Sequence, residues 1–267
     1  MHRPFSLIIA ALLAAAGAMP AMATPDTPPM ATVLADPGRA ADAPRDIYRH
    51  PAETLAFFRV QPGMTVIDVM PGSGWYTRVL TPYLGEAGHY IAVAPPPPDA
   101  SKPSFAATFP TRAAGWARAR SAPVAAYTSN AVPAALDGTV DRVMVMRQVH
   151  NLVNARTFAA DLDTYHRLLK PTGLLGIEEH RAKATAPDAY ADGSKGYMRQ
   201  ADVIRMVEAR GFKLVGTSEV NANPKDTADY PDGVWTLPPG YSQGDTDRAK
   251  YAAIGESDRM TLLFARR

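Results

Sequence analysis

Two groups of residues have the types and placement that chemistry needs. The first is His150, Glu179 and His180, each just past a short apolar run that reads as a strand. An imidazole titrates near neutrality, so this group offers a general base for a hydroxyl or a nitrogen. Two imidazoles and a carboxylate can also ligate a divalent metal, but the spacing is not diagnostic and no metal is assigned. The plainest alternative has His150 capping a loop while Glu179 and Arg181 form a solvated ion pair. The second group follows the run Met64 to Val69: Asp68 near its end, then Met70, Gly72, Ser73, Gly74 and Tyr76. Gly72 and Gly74 lack side chains, so main-chain amides there can approach a ligand, and a helix after Gly74 points its positive end at it. Tight packing of a helix on a strand explains the same glycines.

The elements that would position these residues alternate. Pro51 to Phe58 reads as a helix with proline at its start, stopped by Gln61-Pro62-Gly63. Strand-like runs follow at Met64 to Val69, His89 to Val93, Pro123 to Tyr127, Val140 to Met146, Leu174 to Glu178, Phe212 to Gly216 and Met260 to Ala265. Between them, helices are expected from Trp75 to Leu84, loosely over 103–120, from Phe158 to Leu169 and over 198–210. Such alternation predicts a parallel sheet covered on both faces, with right-handed crossovers and an antiparallel last strand. In an open parallel sheet ligands collect at the carboxyl ends of the strands, where both groups fall. The polar stretch Ala182 to Lys195 lies where a lid would be placed. Residues 221–241 read as a loop that wraps the active face or, preferably, protects a sheet edge.

Val66-Ile67-Asp68-Val69-Met70-Pro71-Gly72-Ser73-Gly74 resembles the first motif of class I S-adenosylmethionine-dependent methyltransferases. Val140 to Met146 looks like their fourth strand, and His166 to Gly173 resembles the leader into their fifth. Ala209 to Phe212 resembles the entry to their sixth, and the terminal run looks like their inverted seventh. Tyr48-Arg49-His50-Pro51 and the 221–239 tail resemble a bacterial subgroup of methyltransferases that carry signal peptides. The resemblance implies a Rossmann-like three-layer sandwich with a mostly parallel seven-stranded sheet. It also implies S-adenosylmethionine as cofactor, held by Asp68, Met70, Gly72, Ser73, Gly74 and Tyr76, and methyl transfer to a small molecule. Two positions depart from the pattern: Met70 stands where a first glycine usually lies, and Val93-Ala94-Pro95 replaces the acid that grips the ribose. Ser129 and Asn130 stand near the adenine position. These departures leave open an exported ligand-binding protein that keeps the fold without methyl transfer.

Bulk properties narrow the choice. His2 and Arg3, an apolar run from Phe5 to Ala18 and the triplet Ala21-Met22-Ala23 predict a signal peptide over 1–23 and a periplasmic or secreted product. A flexible arm over 24–44 and one domain over 45–267 would follow. The formal charge of +2 on 267 residues argues against nucleic acid as a partner, and no later apolar run predicts stable membrane insertion. The absence of cysteine excludes disulfides, thiolate metal sites and a cysteine nucleophile.

Overall fold

The β-branched, glycine-punctuated runs of the sequence become the strands of one twisted sheet in a computed structural model, which describes residues 27–97, 99 and 101–267. The strands are β1 Thr65–Val69, β2 His89–Ala94, β3 Val124–Thr128, β4 Val140–Met146, β5 Leu169–Ala182, β6 Met198–Arg199, β7 Phe212–Ser218 and β8 Arg259–Arg266. The order is β3-β2-β1-β4-β5-β8-β7, and the two-residue β6 pairs with the far end of β5. All pairings along the main sheet are parallel except those of β8, which runs antiparallel to β5 and β7. This is the expected Rossmann-like α/β architecture, with the short β6 added to the seven expected strands.

Alternation of side chains along each strand divides the core between the two faces. Ile67, Val69, Val143, Val145, Leu175 and Ile177 face α6 Val149–Asn154, α7 Phe158–Leu168 and α9 Gln200–Glu208. Val66, Tyr90, Ala92 and Met144 face α3 Pro51–Phe57, α4 Thr77–Leu84 and α5 Phe105–Ala114. A third, smaller cluster joins Tyr197, Tyr230, Val234, Leu237 and Tyr251, the last on α10 Arg248–Ile254. The segment expected as a lid forms the short α8 Asp188–Ala191 beside this cluster.

Two expectations shift. β5 extends at both ends of the predicted Leu174 to Glu178, because residues from Leu169 pair with β4 and Glu179 and His180 pair with β8. Residues 27–44, expected as a flexible arm, lie against the domain: α1 Met30–Leu34 and α2 Asp46–Arg49 are joined by short 3-10 turns. Val33 enters the core, Arg39 is 1% exposed and ion-paired with Asp46, and Asp42 grips Arg78. These are tertiary partners, invisible to local periodicity. The expected leader, residues 1–23, lies outside the described residues. Among the described residues no helix is long and apolar enough to cross a membrane.

Candidate functional site

β5 outruns its neighbour: the last β4–β5 pair is Met146 with Glu178, so Glu179 and His180 stand beyond the end of β4. Arg147 takes a left-handed φ of 58° and turns the chain there, and α6 then places His150 opposite Glu179. The Glu179 carboxylate is fully buried and accepts from the His180 main chain at 2.8 Å and the His150 main chain at 3.3 Å. Its Oε1 lies 2.9 Å from His150 Nδ1, which assigns the Nδ1–H tautomer to His150 and turns Nε2 outward as the free base. Burial opposes charging of His150, but the charge and hydrogen bond of Glu179 outweigh it and raise the pKa above 6.5. His180, its ring centroid 5.5 Å away, bonds Ser257 Oγ through Nδ1. Burial, then the charges of His150, Arg259, Arg147 and Arg49, hold His180 far below its usual pKa and therefore neutral.

The three sequence-predicted residues thus meet, and their donor atoms lie within 4.8 Å of one another. Arg181 does not pair with Glu179; it is engaged by Glu219 and Asp258. The arginines that keep His180 uncharged would oppose a dication in the same place, so the arrangement suits proton transfer better than metal binding.

The turn after β1 opens on two cavities. One, of about 130 Å³, is lined by Asp68, Met70, Ser73, Tyr76, Arg49 and Arg147. The other, of about 800 Å³, lies between Met70, Gly72, Arg112, Phe105 and the Ala94 to Pro97 run. Gly72 has a φ of 56° and an open flank, since a Cβ there would meet nothing nearer than 4.0 Å. Gly74 differs: the Trp116 ring occupies the place of a Cβ, at 2.1 Å, so its main chain is covered and lines neither cavity. Trp116 in turn carries the guanidinium of Arg78 at 4.9 Å. Met70, at a φ of 50°, sits in the left-handed region that favours the glycine it replaces, and it separates the two cavities.

Asp68 is buried and accepts from the Tyr90 hydroxyl at 2.8 Å, yet burial outweighs that bond and pushes its pKa up to about 7. The Tyr76 hydroxyl is buried without a hydrogen-bond partner, and burial, then Glu178, raises its pKa, so it remains a donor. Neither Ser129 nor Asn130 lines these cavities.

A third cavity, of about 310 Å³, joins the pieces. His150, His180 and Ser257 form one wall, Trp235 and Leu237 to Gly240 another, and Arg45, Arg49 and Arg147 the side shared with the 130 Å³ crevice. Gln148 lines all three cavities. The 221–241 segment therefore covers the active face, the less favoured of its two sequence readings, whereas residues 182–195 line none of the three cavities. Sequence reasoning missed Arg45, Arg49, Glu256 and Ser257 as site residues. Their approach depends on Arg45 and Arg49 pairing with Glu256 across most of the chain, for which only the Tyr48-Arg49-His50-Pro51 phrase gave any sign.

The strand order, the inverted β8 and the glycine turn over β1 are those of the class I S-adenosylmethionine-dependent methyltransferase fold. Solved structures bear this out. A SAM-dependent methyltransferase from Aquifex aeolicus matches 72% of this chain and 93% of its own, at 22% identity and a TM-score of 0.50. A structure described as a putative sarcosine dimethylglycine methyltransferase, from Galdieria sulphuraria, matches 84% of this chain and 86% of its own at 13% identity, with a TM-score of 0.52. The cyclase SpnF matches 82% and 80% at 18% identity, with a TM-score of 0.55. At these identities the likeness is one of fold, and a cyclase among the neighbours shows that the fold alone does not fix the reaction. No family model matches the sequence, and no curated protein does.

Proposed function

We propose that this chain is an S-adenosylmethionine-dependent methyltransferase acting on a small molecule in the cell envelope. One observation carries the reading: a run of cavities along the carboxyl ends of β1, β4 and β5 passes from a cleft of about 800 Å³, roomy enough for an adenosine, past bare main chain at Gly72, to a buried base. The residues fit the cofactor. The carboxylate of Asp68 suits an ammonium, and the unpartnered Tyr76 hydroxyl suits a carboxylate, both on the 130 Å³ crevice. Met70 and Ser73 complete that crevice, while Gly74 shapes the turn under Trp116. The cofactor supplies an electrophilic methyl group. The chain supplies His150 Nε2 to accept the acceptor's proton, Glu179 to stabilise the resulting imidazolium, and a neutral His180 to orient the acceptor. Envelope residence is supported by the apolar leader-like run of residues 5–18. Calorimetric titration with S-adenosylmethionine should give a single saturable site; absence of heat at millimolar ligand would sink the proposal.

Met70 and the Ala94-Pro95 pair, where an acid would hold the ribose, favour the second reading, an exported ligand-binding protein without methyl transfer. Met70→Gly separates the two. The change removes a left-handed side chain that costs on the order of 1–3 kcal/mol, against lost packing and the backbone entropy of glycine. Stability should therefore stay within about 1 kcal/mol of the parent. If the crevice is a cofactor site, joining its two cavities should tighten S-adenosylmethionine binding about tenfold, worth about 1.4 kcal/mol. An unchanged or weaker affinity by calorimetry favours the binding-protein reading.

A further inference from the structure

The 310 Å³ cavity is cationic beyond what its fold requires. Arg45, Arg49 and Arg147 line it with Glu256, and Arg259 and Glu178 behind them complete a cluster of four guanidinium groups and two carboxylates. Glu179 pairs with none of them; its oxygens lie against His150 and two main-chain N–H groups. Arg49 is the telling member. Its side chain is only 7% exposed, its guanidinium lies 4.7 Å over the Trp75 ring, and only Nε is used, donating to Glu256 at 3.2 Å. Among the described residues no acceptor stands against its terminal amino groups, nor against those of Arg45. Burial, then the charge of Arg147, lowers the Arg49 pKa to about 9, because the one carboxylate it touches, Glu256, is shared with Arg45 and Arg259.

A nearly buried guanidinium whose terminal amino groups lack an acceptor, as at Arg49, is uncommon in a finished core, and planar N–H pairs match carboxylate and phosphate oxygens. The opposite wall is apolar, formed by Leu237, Pro238, Pro239 and Trp235, whose ring is 43% exposed. We infer that the methyl acceptor is a small molecule with a carboxylate or phosphate at one end, held by Arg45 and Arg49, and a flat apolar body against Trp235. The word acceptor rests on the methyl-transfer reading; the anion site does not. Cofactor charge points the same way. S-adenosylmethionine carries one net positive charge, so its arrival beside this cluster strengthens the demand for an anion.

The test is calorimetric titration of the intact chain with 4-hydroxybenzoate and phenyl phosphate, and with 4-hydroxybenzyl alcohol as the neutral control. The anions should bind, the alcohol at least tenfold more weakly, and affinity for the anions should fall as salt is added. Arg49→Gln should weaken anion binding tenfold or more, while the alcohol is unaffected. Arg45→Gln, at a side chain 28% exposed, should do the same in part and serves if Arg49→Gln fails to fold. Saturating S-adenosylmethionine should leave anion affinity equal or higher. Equal binding of alcohol and anions, indifference to both substitutions, no binding at 10 mM (about 2.7 kcal/mol at most) or competition with S-adenosylmethionine would each overturn the inference. The last result would assign the arginines to the cofactor's own carboxylate. Anion binding without S-adenosylmethionine binding would instead sink the methyltransferase reading and leave the anion site standing.

Discussion

Glu178→Gln should lower the thermal unfolding midpoint by roughly 10 °C, corresponding to about 3–5 kcal/mol for a chain of this size. Glu178 is fully buried. Both its oxygens lie 3.0 Å from Arg147 Nη1, and Oε1 lies 3.1 Å from Nε of Arg259, which is 1% exposed. Arg259 also bonds Glu256 and the Tyr48 carbonyl, so it cannot swing out to water when its counter-charge goes. The penalty is mainly that of stranded charge, since an intact buried pair contributes little net stability over an apolar replacement. The amide keeps the volume and can still accept from Arg147, which isolates the charge. Differential scanning calorimetry checks it; a shift under about 3 °C would mean that solvent reaches the cluster and that its charges are screened.

Asp68→Asn should act the other way on stability and weaken cofactor binding. The folded pKa of about 7 lies above the ordinary 3.8 because burial disfavours the carboxylate more than Tyr90, then Arg147, favour it. Between those two values the folded chain holds a proton that the unfolded chain has released, so this group makes stability fall as pH rises through the window. Asparagine carries no such charge and still accepts from the Tyr90 hydroxyl, now 2.8 Å from Oδ2. The substitution should leave stability at pH 4 nearly unchanged and raise it at pH 8 by on the order of 1–3 kcal/mol. S-adenosylmethionine affinity should fall by tenfold or more, because the ammonium loses its counter-charge, about 1.4 kcal/mol per tenfold. Thermal melts at the two pH values test the first part and calorimetry the second. Equal stabilisation at both pH values would show that Asp68 titrates normally.

Much of this fold was legible because its elements declare themselves locally. Val140 to Met146 coincides with β4, and the glycine turn after β1 lies where the strand run ends. Convergence of His150 with Glu179 and His180 was also readable, because adjacent parallel strands bring their carboxyl ends together. What could not be read lies in long-range pairings. Nothing near Pro37 or Ala43 announces that Arg39 is buried or that Asp42 reaches Arg78, and without them the 27–44 segment looks like a loop. Glu178 looked like one of several polar residues after a strand, yet it is the shared partner of two arginines from β4's end and β8. Glycine roles divide for a similar reason: Gly72 and Gly74 are alike in sequence, and only the distant Trp116 distinguishes the covered from the bare.

Arg45 and Arg49 come from the head of the domain and Glu256 from near its tail, 211 and 207 positions away. This side of the 310 Å³ cavity is therefore a clasp whose two halves are made at opposite times of synthesis. Loss of Glu256 would leave the two arginines without the carboxylate that aims them. The aim of the two arginines thus hangs on a residue outside every recognisable motif, and a change confined to Glu256 should be felt where they stand.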